Sequence, residues 1–354
     1  LQAVLVEGWN TGWEHWIGFE DREGVFDFVT PYDDYDLVEV VKYGKQKGVE
    51  LIMHHETSAA TETYEKQMDS AFRLMHSLGI HYVKTGYVGK ILPKGEYHHG
   101  QYMVRHYRKV LETAAKYQVS VIAHEPIKPT GIRRTFPNML SREGLRGQEF
   151  NAWASDGGNP PEHLPTIAFT RMLAGPIDYT PGIFNIKLEP YKPNNQINTT
   201  LTHQLALYVV LNSPVQMAAD LIESYKKRPD ALQFIKDVPL SWVNFEVIDG
   251  EPGEYLCIKK HTVNGDNVYI GCINGKKERE IELNLNDLIA PHPHRYYFEA
   301  RICRDGPEAH WDNNPFDYII EEKRIDKNNN TIKLRLAPGG GAIIKLTRMR
   351  IQNK

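Results

Sequence analysis

The chain is short of cysteine, of net charge and of long apolar runs, and each shortage removes a class of protein. Its three cysteines (Cys257, Cys272, Cys303) are odd in number and fall late in 354 residues, so no disulfide framework is legible. Lys plus Arg numbers 42 against 45 Asp plus Glu, a net charge of -3. Nucleic acid and anionic membranes select a basic face, so neither is expected as the main partner. No apolar run approaches the roughly 18 residues of a bilayer span. An initiator Met and a basic-then-apolar leader are also missing. The chain opens Leu1-Gln2-Ala3-Val4-Leu5-Val6-Glu7, directly in what reads as a buried strand, as a fragment or a processed chain would.

What remains is ordinary globular composition, 41% hydrophobic and 25% charged. At about 100–200 residues per domain it allows two or three domains. The first two-thirds repeats one rhythm of apolar run, polar loop and helix. Val4–Val6, Leu51–Met53, His81–Val83 and Val119–Ala123 read as strands. Helices are predicted near 37–47, 59–78 and 102–117, the second from Tyr64, Met68, Phe72 and Met75 spaced three or four apart. Strands alternating with helices imply right-handed βαβ units and a parallel sheet. Less regular strand candidates lie near 147–150, 176–180 and 208–217. These make about seven, so the expectation is a (β/α)8 barrel over 1–249 whose first strand precedes Leu1. From 250 to 354, short alternating runs are separated by Asn264-Gly265-Asp266, Asn274-Gly275-Lys276 and Asn328-Asn329-Asn330. That stretch is expected to form an antiparallel β-sandwich.

Polar residues gather just after the apolar runs, at the face where barrels of this kind carry their active sites. Glu56 and Glu125 each follow a histidine there, and Glu143 and Glu149 lie in Arg142-Glu-Gly-Leu-Arg-Gly-Gln-Glu149. Several carboxylates at one mouth suit acid/base chemistry at a glycosidic bond, or a hard cation such as Ca²⁺. Glu143 and Glu149 equally suit solvated helix starts. His54-His55-Glu56 and His124-Glu125 also suggest zinc, but no His-Glu-x-x-His helix follows. Glu7, Trp9, His54, Lys84 and His124 are the candidate substrate contacts. Trp9, Trp13 and Trp16 offer aromatic faces to a sugar ring, or plain packing for the loop. Gly86 ends the run Lys84-Thr85-Gly86, so this strand offers no carboxylate nucleophile for a retaining mechanism.

At these residues the chain resembles glycoside hydrolase family 97, and within it the inverting α-glucosidase branch of Bacteroidetes starch-utilisation systems. The likeness runs through Val6-Glu-Gly-Trp-Asn10, His54-His-Glu-Thr-Ser58, Lys84-Thr-Gly-Tyr-Val-Gly89 and His124-Glu125. It continues through Arg134-Thr-Phe-Pro-Asn138, Arg146-Gly-Gln-Glu149, Asp178-Tyr-Thr-Pro-Gly182 and Ser213-Pro-Val-Gln-Met217. It implies Glu149 as general acid, Glu56 and Glu125 as the water-activating pair, and calcium held by Glu125, Glu143 and Glu149. A further ligand would come from an N-terminal domain absent from this chain. The resemblance also implies an oligosaccharide substrate and a periplasmic or secreted protein. An α-galactosidase or another α-glycosidase of the same family is the alternative. A non-catalytic sugar-binding fragment and a zinc hydrolase of amides or esters are further ones.

Overall fold

The apolar runs of the first 125 residues become strands because each is short, rich in β-branched residues and closed by a polar loop. A computed structural model describes residues 1–15 and 22–351. The chain divides into two compact units, Leu1–Gly144 and Leu145–Lys354. In the first, β1 (Ala3–Val6), β2 (Glu50–Glu56), β3 (Tyr82–Gly86), β4 (Ser120–Ala123) and β5 (Met139–Arg142) pair in chain order. All four pairings are parallel. The crossovers carry α1 (Leu37–Gln46), α2 (Thr61–Leu78) and α3 (Gln101–Lys116). The Asp36 carboxylate accepts the Glu39 N–H at 2.9 Å and starts α1, a cap worth about 1 kcal/mol. Gly79, with φ of 66°, supplies the left-handed residue that stops α2.

Strand parity decides which residues reach the core. Met53, Val83 and Val121 stand in register and pack with Met68, Phe72 and Met75 of α2 and Val110 and Leu111 of α3. Burying one such side chain is worth about 1.5–3 kcal/mol. His55 shares their face and sits edge-on against Phe28 and Tyr64. Alternation therefore turns His54 and Glu56 of β2, and Lys84 of β3, to the opposite face.

The second unit contains α4 (His163–Phe169), α5 (Leu201–Val210), α6 (Ile222–Lys226) and α7 (Pro229–Asp237). There follow β6 (Trp242–Glu251), β7 (Tyr255–Thr262), β8 (Asn267–Asn274), β9 (Arg279–Asn284), β10 (Tyr296–Asp305), β11 (Tyr318–Ile325), β12 (Thr331–Leu336) and β13 (Gly341–Arg350). Six of these form an antiparallel sheet in the order β11-β10-β13-β8-β7-β6, and β12 pairs with β9. Leu283 and Leu334 of the pair pack with Cys257, Ile270 and Leu346 of the sheet, giving the expected two antiparallel layers. On the sheet's other face Leu207 and Val210 of α5 pack with Ile258 and Ile273. Gly271 permits that approach, since a Cβ there would lie 2.8 Å from Val209 Cβ. All three cysteines are free and buried.

The later strand candidates of the barrel differ from expectation. Residues 147–150 enter a 3₁₀ turn, Gln148–Ala152, and no named strand covers 176–180. The run Tyr208-Val209-Val210 belongs to α5, a helix buried at every position. A short, fully apolar run carries no periodicity that separates buried helix from buried strand. Conversely β5, with Ser141 and Arg142 in its four residues, gave no apolar signal. Among the described residues, no helix is long and apolar enough to cross a membrane.

Candidate active site

Parallel pairing sets the strand ends of the first unit side by side. His54 pairs with Lys84 and Glu56 with Gly86, while Val6 opposite Met53 brings Glu7 beside His54. Ala123 opposite Arg142 likewise brings His124 beside Glu143. Lys84 Nζ donates to Glu7 Oε1 at 2.6 Å. His54 Nδ1 lies 3.9 Å from the same oxygen, and its Nε2 lies 4.0 Å from Glu56 Oε2. Neither His54 ring nitrogen has a hydrogen-bond partner among the described residues, although the side chain is buried. His124 Nδ1 lies 3.7 Å from Glu143 Oε1.

Backbone N–H groups, rather than side chains, aim the two central carboxylates. Glu56 Oε1 accepts from Ser58 N at 2.6 Å and from Val88 N at 3.2 Å. Glu125 Oε2 accepts from Tyr87 N at 2.9 Å, and the Glu125 N–H donates to Glu143 Oε2 at 3.1 Å. The arrangement stores strain. Ser58, Ala59 and Glu125 all have positive φ (49°, 60° and 40°), a left-handed conformation that costs a side-chain-bearing residue about 1–3 kcal/mol. The Glu125 carbonyl is pinned by Tyr107 Oη at 3.0 Å and by His98 Nε2 at 2.6 Å.

Burial, and then the charge of Glu125, push the Glu56 carboxyl up to about 8, against the opposing pull of the two N–H donors. At neutral pH Glu56 therefore favours its protonated form. Burial, helped by the Lys84 charge, holds His54 well below its ordinary value, so its imidazole is neutral. A neutral imidazole offers one donor and one acceptor, the pairing a sugar hydroxyl uses.

Trp9 is 1% exposed and its Nε1 donates to the His54 carbonyl at 2.8 Å, so its ring packs the loop and steadies β2. Trp13 is half-buried, with its ring 5.2 Å from that of His54. Trp16 lies outside the described residues.

Glu149 belongs to the second unit. It stands in the Gln148–Ala152 turn, where Oε2 accepts from Thr180 Oγ1 at 3.3 Å. The buried Gln148 fixes that turn: its Nε2 donates to the Thr180 carbonyl at 2.9 Å, and its Oε1 accepts from Gln204 Nε2 at 2.9 Å. A Cβ at Gly147 would lie 2.3 Å from Glu149 Oε2, so a side chain there would displace the Glu149 carboxylate.

Two family models match the chain, "Glycoside hydrolase 97" over residues 1–145 and "Glycosyl-hydrolase 97 C-terminal, oligomerisation" over residues 241–347. The chain belongs to glycoside hydrolase family 97. A curated relative, the retaining alpha-galactosidase of Bacteroides thetaiotaomicron, is 31% identical over 97% of this chain and 48% of its own length. A family 97 enzyme from Pseudoalteromonas sp. strain K8 has been solved with panose and with acarbose. Both structures superpose with a TM-score of 0.91 at 44% identity, over 99% of this chain and 54% of theirs. The chain thus spans about half the length of these family 97 relatives.

Glu125 and Glu143 stand just past the ends of β4 and β5 and offer hard oxygen donors of the kind that the calcium implied by the family resemblance would need. Glu143 is buried, and its Oε2 is engaged by the Glu125 backbone N–H. Sequence reasoning missed the Ser58, Tyr87 and Val88 N–H groups. A backbone donor carries no residue-type signature, and none of the three positive-φ residues is a glycine.

Proposed function

We propose that this family 97 protein is a calcium-dependent glycosidase that hydrolyses α-glucosides with inversion of configuration. One observation carries the reading. At the end of β3 a Cβ on residue 86 would lie 1.9 Å from Glu56 Oε2, so a side chain there is incompatible with Glu56 in its place. A retaining enzyme needs a carboxylate nucleophile about 5–5.5 Å from its acid. The end of β3 supplies none, and its space is taken by the Glu56 carboxyl group, which in this reading positions the attacking water.

In this mechanism Glu149 protonates the glycosidic oxygen. Glu125 accepts the proton of the attacking water, and Glu56, largely protonated near neutrality, holds that water in line through its carboxyl. His54, Lys84, Glu7 and His124 bind sugar hydroxyls, and Trp9 acts through the His54 backbone. Calcium on Glu125, Glu143 and Glu149 would fix carboxylate orientation and supply positive charge to the site. The ligands of the Pseudoalteromonas relative support an α-glucoside, since panose is built of α-linked glucose. We also assign the parallel sheet to a (β/α)8 barrel over 1–249, followed by the sandwich of 250–354 and completed by an N-terminal domain outside this chain.

The name of the curated relative favours a second reading, a retaining α-galactosidase. A proton NMR time course on an α-glucoside separates the two. β-Glucose as the first product is expected; α-glucose first, or cleavage of α-galactosides alone, removes the inverting α-glucosidase reading. Chelation provides an independent check of the metal. Turnover should fall in excess chelator and return with added Ca²⁺, and unchanged turnover at confirmed metal removal would exclude calcium from the mechanism.

A further inference from the structure

One chain of polar groups, buried at Tyr87 and His106 and partly exposed at Glu65, lies behind the carboxylate pair and has no part in the steps above. Tyr87 Oη and His106 Nε2 are 2.8 Å apart, His106 Nδ1 and Glu65 Oε1 are 2.8 Å apart, and Lys109 Nζ donates to Glu65 Oε2 at 2.5 Å. Tyr87 is fully buried and His106 is 2% exposed, while Lys109 reaches solvent. The chain thus runs from the surface of α3, through Glu65 of α2, to the residue whose N–H holds Glu125. The His106 bond and Lys109 keep the Glu65 carboxyl down at about 2, so it stays ionised and accepts only. Nδ1 of His106 must then carry a proton and donate to Glu65, while Nε2 shares the second hydrogen bond with the Tyr87 hydroxyl.

Packing alone does not require this. A carboxylate–imidazole–phenol chain with its imidazole and phenol buried is often no more stabilising than apolar side chains of equal volume, and its best-attested use is to fix one arrangement among several. Here the arrangement fixed is that of Tyr87 and Val88. Their successive N–H groups hold Glu125 and Glu56 respectively, at 2.9 and 3.2 Å. The next residue of α3, Tyr107, holds the Glu125 carbonyl. One turn of α3 thereby grips both ends of the strained Glu125.

We propose that Glu65, His106 and Tyr87 form a positioning relay that sets the Glu56 and Glu125 carboxylates for water activation. The inference rests on the inverting glycosidase reading. The relay touches no substrate, so its loss should be felt in kcat and little in KM, because a misplacement near 1 Å costs about a hundredfold and smaller shifts proportionately less.

The test uses the full-length protein and measures kcat and KM on one α-glucoside for Tyr87→Phe, His106→Phe and their double variant. Tyr87→Phe keeps the ring and removes only the hydroxyl. Each single change is expected to lower kcat on the order of tenfold with KM held within about twofold, and the double variant should fall no further than the weaker single one. Glu65→Gln keeps an acceptor for the Nδ1 proton and should retain most of kcat, whereas Glu65→Leu should lose it. Unchanged kcat in Tyr87→Phe, or losses that multiply in the double variant, would overturn the relay. Glu56→Gln and Glu125→Gln are measured alongside. If those two keep turnover, the catalytic reading itself fails; if they abolish it while Tyr87→Phe keeps kcat, only the relay fails.

Discussion

Glu149→Gln should lower kcat on maltooligosaccharides by about 10²–10⁴-fold, the range that general acid catalysis commonly contributes. In free energy that is about 2.7–5.5 kcal/mol of transition-state stabilisation. The substitution is close to isosteric, and the amide oxygen still accepts the Thr180 hydroxyl that meets Glu149 Oε2 at 3.3 Å. The turn beneath is held by Gln148 and Gln204, which the change does not touch. Loss of activity would therefore report lost proton donation rather than a collapsed turn. A leaving group such as 4-nitrophenolate departs with little protonation, so its glucoside should lose at least about tenfold less than the natural substrate. Because Glu149 is also a proposed calcium ligand, both assays are run at saturating Ca²⁺ with bound metal quantified. Equal losses on both substrates at full metal occupancy would deny Glu149 the acid role.

Much of the first unit was legible because local and global preferences agree there. Glu56 was findable since His54-His55-Glu56 closes an apolar run, and Glu125 for the same reason after Val119–Ala123. Which of His54 and His55 faces the site is a question of strand parity. Parity is set by which of Leu51, Ile52 and Met53 meets α2, a tertiary fact. The tryptophan loop was ambiguous between stacking and packing, and burial at 1% decides for packing at Trp9. The sandwich strands were read where one face is apolar. β6, exposed along most of its length, and β11, with Glu321, Glu322, Lys323 and Arg324 in sequence, lacked that contrast. At the carboxylates the determining groups are N–H donors and left-handed backbone at Ser58, Ala59 and Glu125. Glycine is the usual sign of such conformations, and none stands at those positions. Local preference was overridden at the proposed site, as a functional site would allow.

Gly86→Ala should reduce kcat by about 10²-fold or more while leaving the protein folded. The added Cβ would lie 1.9 Å from Glu56 Oε2, 2.9 Å from its Cδ and 3.4 Å from His54 Nε2. Something must move, and β3 is the less able to, being paired to β2 on one side and β4 on the other. The Glu56 side chain is the flexible partner, so global stability should suffer little. Its displacement, however, breaks the bonds from Ser58 and Val88 and takes the carboxyl away from the water it is proposed to hold. The melting temperature and kcat should accordingly separate, the first nearly unchanged and the second much reduced. Glu56→Gly supplies the matching half of a double-mutant cycle, because it removes the group that the new methyl strikes. If the collision is the whole effect, Gly86→Ala added to Glu56→Gly costs nothing further. Wild-type turnover in Gly86→Ala would mean that Glu56 has no part in activating water. It would also remove the steric argument against a side-chain-bearing residue at the end of β3, and with it the main reason to prefer inversion over retention.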